Sequence, residues 1–241
     1  MAALCYLLLA CLTIDVDWTR AAQGLERGAR FLAGFSRPDF LTRWSDISQG
    51  LLESLAMTAV ATCIGVLISL PVAVGAARNV APLPIYFSCR FVIVLSRSFH
   101  ELIVAILFVV LVGFGPLAGV LTLSFASIGF IAKLLAEEIE SIDRDQVEAI
   151  RSSGASWPQR MIFGVLPQVT PRLTGLTVYR LDINFRESAI IGVVGAGGIG
   201  ATINTAFDRY EYDTAAAILL LIIAIVLAGE YGSGWLRQRL I

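Results

Sequence analysis

Gly192-Val-Val-Gly-Ala-Gly-Gly-Ile-Gly200 contains, from Gly195 to Gly200, the pattern G-x-G-x-x-G. Its reading separates two folds. In a soluble βαβ unit such a run cradles a dinucleotide, and Asp213 stands roughly where an acid would meet the ribose. That reading needs a short strand before the glycines and a sheet around them. Here long apolar segments, 158–184 and 214–232, flank the run, and nothing resembles the other strands of a sheet. A glycine run at membrane depth instead suits close backbone packing, or a re-entrant segment that lines a cavity rather than facing lipid. The fold class expected is therefore an all-α membrane protein.

Composition points the same way. Of 241 residues, 57% are hydrophobic and 15% charged, against about 25% charged in soluble domains. A formal net charge of −1 gives no basic footprint for nucleic acid. Cys5, Cys11, Cys63 and Cys89 form no C-x-x-C and read as buried free thiols. His100 is the single histidine, which excludes histidine-based metal clusters. No G-x-x-x-x-G-K-[ST] occurs, so this chain is not expected to hydrolyse ATP itself, and no cofactor is expected to be bound by it.

Along the chain, the apolar stretch 1–14 is too short to span a bilayer, which takes about 20 residues, and reads as the outer part of a membrane helix. Residues 15–50 form a polar loop, expected to be partly helical and periplasmic. A permease domain is expected over 51–235 and a basic tail over 236–241. Within it, 51–77 is a span closed by Arg78-Asn79 and Pro82/Pro84. Residues 84–113 read as a half-embedded helix, a charged joint at Arg97–Glu101, and a span from Leu102. The next span, 117–133, ends at Lys133 and the acidic residues Glu137, Glu138 and Glu140. In the polar segment 136–157, Asp143 or Asp145 can cap a short helix that Gly154 stops, and Pro158 opens the next. Pro167 and Pro171 predict a kink in 158–184. About five to six transmembrane helices result. Arg78, Lys133, Arg144, Arg151, Arg160, Arg237 and Arg239 fall on one side and mark it as cytoplasmic, although the arginines of 15–50 fall on the other.

The segment 147–168, "VEAIRSSGASWPQRMIFGVLPQ", carries the function. Glu148-Ala149, Gly154 and Leu166-Pro167 fit E-A-A-x3-G-x9-I-x-L-P, with Ile150 in place of the second alanine and Gly164 in place of isoleucine. This is similar to the signature of the membrane subunits of ABC importers. "RSFHELIVAILFVVLVGFGPLAGVLTL", "GVLPQVTPRL" and "VVGAGGIG" resemble the phosphonate permeases of that family, over about residues 47–235. The resemblance implies the MetI-like type I importer fold with a cytoplasmic coupling helix, in the bacterial inner membrane. It also implies a second permease copy, identical or a close paralogue, a cytoplasmic ATPase dimer that uses ATP and Mg, and a periplasmic phosphonate-binding protein. Phosphite or a phosphate ester is the alternative cargo.

The residues themselves are compatible with that role. Val147 and Ile150, three apart, offer an apolar edge for a partner's groove. Glu148 can accept hydrogen bonds near the helix start, where the helix dipole favours negative charge. Gly154 permits the left-handed turn that ends the helix. Arg97, His100, Glu101, Arg180, Asp182, Arg186 and Glu187 lie in or near apolar segments, where a charge is costly unless it has a function or a partner. Asp182 and Arg186, four apart, can pair. His100, Glu101, Arg186, Gly195, Gly197 and Gly198 are the candidates for the substrate pathway. A different class, an ion-coupled secondary transporter, would also use broken helices, but it calls for an internal repeat that the sequence does not contain.

Overall fold

The computed structural model describes residues 18–240 together with Tyr6 and Thr13. Apart from those two residues, the apolar stretch 1–14 lies outside the described residues, as do the side chains of Arg237 and Arg239. Ten α-helices and two π-helical turns make up the described chain, with no strand among its residues. They are α1 (Trp18–Gly34), α2 (Trp44–Ala76), α3 (Leu83–Ser98), α4 (Glu101–Val112) and α5 (Pro116–Ser141). Then come α6 (Arg144–Ser152), α7 (Trp157–Arg160), α8 (Leu166–Ile191), α9 (Gly198–Asp208) and α10 (Tyr212–Leu240). The π turns are Met161–Val165, before α8, and Gly192–Ala196, after it.

Trp44–Ala76, Pro116–Ser141 and Tyr212–Gly232 are each long and apolar enough to cross a membrane. Two bent pairs bring the number to as many as five. The first is α3 with α4, bent by 95°, and the second is Trp157–Ala196 with α9, bent by 58°. The chain is thus an all-helical, multi-pass membrane protein. Its outward faces are apolar, as lipid demands, with Leu67, Phe91 and Val94 all strongly exposed.

α2 is the axis, and α5 packs along it more extensively than any other element. Small residues permit the approach: a Cβ on Gly65 would strike Ser127, and one on Gly119 would strike Met57. Three apolar clusters stack along this pair. At one end Ala73, Ala76, Ile93, Leu135, Ile139 and Val165 pack together. Ala61, Ala105, Leu123 and Ile191 fill the middle. At the opposite end Ile47, Ile199, Ile203, Ala215 and Ile218 close the bundle, and there Phe31 anchors α1 edge-on against Tyr212.

Several boundaries follow from local chemistry. Proline stands in the first turn of α3 and of α5, where its missing N–H has no partner to lose. The bend between α3 and α4 falls at Phe99–His100, and the His100 ring Nδ1 accepts the Leu102 N–H at 3.3 Å as the N-cap of α4. Just before Pro167 the helix passes through a π turn, in which the Leu166 N–H reaches back five residues to Met161 O. Such a turn re-satisfies backbone groups that a proline leaves without a donor.

Two expectations need correction. The helix expected to end at Lys133 continues to Ser141, with its acids facing bases. Glu140 meets Arg90 at 2.9 Å, Glu138 meets Arg172 at 3.7 Å, and Glu137 meets Lys133 itself at 3.6 Å. Lys133 is therefore a helical residue and not a loop marker. Of the thiols read as buried, Cys63 is exposed and Cys89 only partly covered.

Candidate functional site

The short helix expected between two spans is α6. Asp143 is its N-cap and accepts the Asp145 N–H at 3.0 Å. Gly154 stands at φ +83°, with its N–H bonded to Arg151 O at 3.0 Å and open space where a Cβ would point. Glu148 does not occupy the first turn: that place belongs to Asp145, and Glu148 projects from the middle of the helix, exposed beside Ala149.

The apolar edge of α6 is turned inward. A Cβ on Gly164 would meet Ile150 Cδ1 at 3.3 Å and Val147 Cγ2 at 3.4 Å. Val147 and Ile150 therefore pack on this chain's own π turn, and the surface left for another protein is the polar one. The two departures from the expected motif meet here, for the larger residue at 150 faces the missing side chain at 164. Gln168, which the sequence did not single out, fastens the arrangement. Its Oε1 accepts the Asp143 N–H at 2.9 Å, and its Nε2 donates to Asp143 O at 3.3 Å and to Gly164 O at 2.8 Å. Leu166 and Pro167 begin α8 directly behind this clasp, both exposed.

A second cluster lies at the centre of the bundle. Arg180 is 3% exposed. Its Nη2 meets Glu101 Oε1 at 3.0 Å, its Nε donates to Ser127 Oγ at 2.9 Å, and its guanidinium lies over the Phe130 ring at 5.5 Å. Asn184 donates to Ser127 Oγ at 3.0 Å and to Thr62 Oγ1 at 2.8 Å. Glu187 comes within hydrogen-bonding reach of Glu101. Glu101 thus belongs to a network joining α2, α4, α5 and α8. It borders a cavity of about 370 Å³ at the α3–α4 bend, whose lining includes Arg97, His100 and Arg180. Arg186 is not part of it. It pairs with Asp182 at 3.0 Å, the local pair that the four-residue spacing allowed, and its side chain remains 51% exposed.

The glycine run forms the break between α8 and α9. Gly195, Gly197 and Gly198 have φ of +96°, +81° and +71°, a region that side chains rarely adopt. The backbone there lies against the α4–α5 turn, with the Gly115 N–H on Gly195 O at 3.0 Å. The free N–H groups at the start of α9 are taken by α2: Glu53 Oε1 accepts from Gly198 at 3.1 Å and Ser54 Oγ from Ile199 at 2.9 Å. A phosphate would have to displace both. With helices on either side and Asp213 in the first turn of α10, the run is a packing joint and not a nucleotide cradle.

The chain is similar to known proteins. The chain is 42% identical over 205 residues to a phosphate-import permease of Mycolicibacterium smegmatis, a match covering 85% of this chain and 38% of that protein. It thus spans well under half the length of that relative. It is also 42% identical over 234 residues to a phosphite transport system permease of Stutzerimonas stutzeri, covering 96% of this chain and 85% of the relative. Among solved structures, an inward-facing methionine ABC transporter superposes with a TM-score of 0.70 at 23% identity, covering 83% of this chain and 100% of that one. That likeness establishes the fold, a MetI-like permease. Residues 65–241, most of the chain, match one family throughout. The chain belongs to the binding-protein-dependent transport system inner membrane components.

Proposed function

We propose that this chain is the membrane subunit through which a tetrahedral phosphorus oxyanion passes from a periplasmic binding protein into the cytoplasm. The phosphonate class, with phosphite or a phosphate ester as its near neighbours, is the cargo favoured by the resemblance and by the phosphate and phosphite permeases among the relatives. Energy comes from an ATPase dimer on the cytoplasmic side, which holds the ATP and Mg. A second permease copy, identical or closely related, completes the pathway across the inner membrane.

The observation that carries this reading is the seating of α6. A helix with an exposed polar face, clasped by Gln168 and packed on the π turn at the foot of α8, is a part to push on. In this reading Glu148 and Ala149 meet the ATPase, Val147 and Ile150 transmit the contact to Gly164, and Gly154 sets where the helix ends. Leu166 and Pro167 begin the span that moves. The substrate pathway runs by the cavity bordered by His100 and Glu101, where Arg180 supplies buried positive charge, and past Gly195, Gly197 and Gly198. Arg186 offers a second cation on the outer face of α8. The ion-coupled alternative loses its ground with the family assignment.

The test is to reconstitute the permease with its ATPase and measure substrate-stimulated hydrolysis and uptake. Gly154→Val, strained by about 1 kcal/mol or more at positive φ, and Glu148→Arg should each leave the protein inserted. Each should bind the ATPase poorly or hydrolyse without transport. Full association and full coupled uptake in both variants would remove α6 from the coupling route.

A further inference from the structure

Beside the polar face of α6 lies a cavity of about 400 Å³ between that helix, the turn after α2 and the start of α7. Arg144, Arg151 and Arg160 line it, and Glu148 is its one acidic lining residue. None of the three arginine side chains has an ion-pair partner among the described residues, and Arg160 Nε is buried without a hydrogen-bond acceptor. A buried guanidinium donor left without an acceptor is costly. Arg160 is part-buried, and Arg144 and Arg151 stand exposed at the same opening; together they suit an oxyanion, which guanidinium recognises through paired N–H donors.

What holds the anion is set by what adjoins it. Val80, Trp157, Met161 and Val165 are shared between this cavity and an apolar groove of about 540 Å³. The groove runs along the bundle, walled by residues such as Leu70, Ile85, Leu135 and Ile162. Trp157, about half exposed, stands at the junction of the two, the position tryptophan favours at a membrane–water boundary. A soluble anion would use the arginines and leave the groove empty. An acidic side chain of a protein would do the same.

We propose that the two cavities together bind one anionic phospholipid, with its phosphate among Arg144, Arg151 and Arg160 and an acyl chain in the groove. Basic pockets where helices meet the cytoplasmic surface are suited to such headgroups. The site touches α6 on the wall formed by Arg144, Val147 and Arg151, so the lipid braces the same helix that meets the ATPase. The proposal does not depend on which anion is transported.

The test reads lipid retention, not transport. The permease–ATPase complex is stripped of lipid in detergent and offered equal phosphatidylglycerol and phosphatidylcholine, and bound lipid is counted by native mass spectrometry. The wild type should retain phosphatidylglycerol preferentially. Arg144→Gln/Arg151→Gln/Arg160→Gln should lower retention about tenfold or more. Ile85→Trp, which fills the groove, should also lower it with the arginines intact. Arg172→Gln, exposed and already facing Glu138 at 3.7 Å, should not. Equal retention of the two lipids by the wild type overturns the proposal without any variant, as does unchanged retention in a folded Arg160→Gln. Displacement of the lipid signal by inorganic phosphate, with no effect of Ile85→Trp, would assign the arginines to a free anion instead. Loss of the ATPase from the triple variant, with lipid retention unchanged, would make them a protein contact.

Discussion

Glu101 and Arg180 lie 79 positions apart and meet at 3.0 Å in the middle of the bundle. Replacing Glu101 by Gln takes the paired carboxylate from a guanidinium that is 3% exposed and leaves Glu187 as the nearby acid. Breaking a buried pair from one side costs about 3–5 kcal/mol. The low end applies here, since Ser127 Oγ and the Phe130 ring remain in contact with the cation and Glu101 is 22% exposed. Arg180→Met removes the charge with little loss of volume, and Glu101, nearer to water, tolerates its loss better, at about 2 kcal/mol. Changing both removes the two charges together, and a neutral pair of similar size is often close to neutral in stability. The double variant should thus lie within about 1–2 kcal/mol of the wild type, leaving a coupling of about 3 kcal/mol. The assay is reversible unfolding in mixed micelles by SDS titration, for all four proteins of the cycle. If the two single effects add within about 0.5 kcal/mol, the two residues do not act as a pair and the network at the core has been misread.

Three further outcomes follow from the same structure. Gly198→Ala, at φ +71° with a Cβ that would strike Ser54, should lose at least about 1–2 kcal/mol, whereas Gly175→Ala, in helical backbone with open space, should be neutral or gain up to about 1 kcal/mol; thermal shift in detergent separates them. Gly164→Ile alone should overpack the π turn by about 1–3 kcal/mol, and adding Ile150→Ala should recover much of the lost stability and coupled uptake. Arg186→Ala should weaken uptake more than Arg27→Ala at matched expression, and equal uptake in the two would reduce Arg186 to a partner for Asp182.

What the sequence could convey was local. The joint at Phe99–His100 is visible because charged residues interrupt an apolar run, and the end of α6 because Gly154 follows a cappable helix. The pair Asp182–Arg186 is legible from its four-residue spacing, whereas the partner of Arg180 lies in another helix, and only the packing of α4 against α8 brings it near. The same reason hid the last two turns of α5, whose acids look like loop residues until Arg90 and Arg172 are placed opposite them. Gln168 is polar, near a proline and unremarkable in any pattern, yet it holds the N-cap of α6 by two hydrogen bonds and the π turn by a third. The departures at 150 and 164 were readable one at a time as irregularities. Their complementarity needed the distance between them.

The clasp at Gln168 has a mechanical consequence. Because α6 is fastened both to the residue before it and to the foot of α8, it is no loose flap that could absorb a load by swinging. A force on its exposed face acts on α8 as on the short arm of a lever. The long arm is the 26-residue helix from Leu166 to Ile191, about 39 Å at 1.5 Å per residue. A tilt of about 5° at its foot sweeps the far end through roughly 3 Å, by that length. That far end is the glycine break, where the backbone packs directly against Phe114, Glu53 and Ser54. A displacement of that size exceeds what a hydrogen bond tolerates. A small motion on the α6 side of the membrane is thereby made large enough, near the opposite end, to break or remake the hydrogen bonds between α9 and α2.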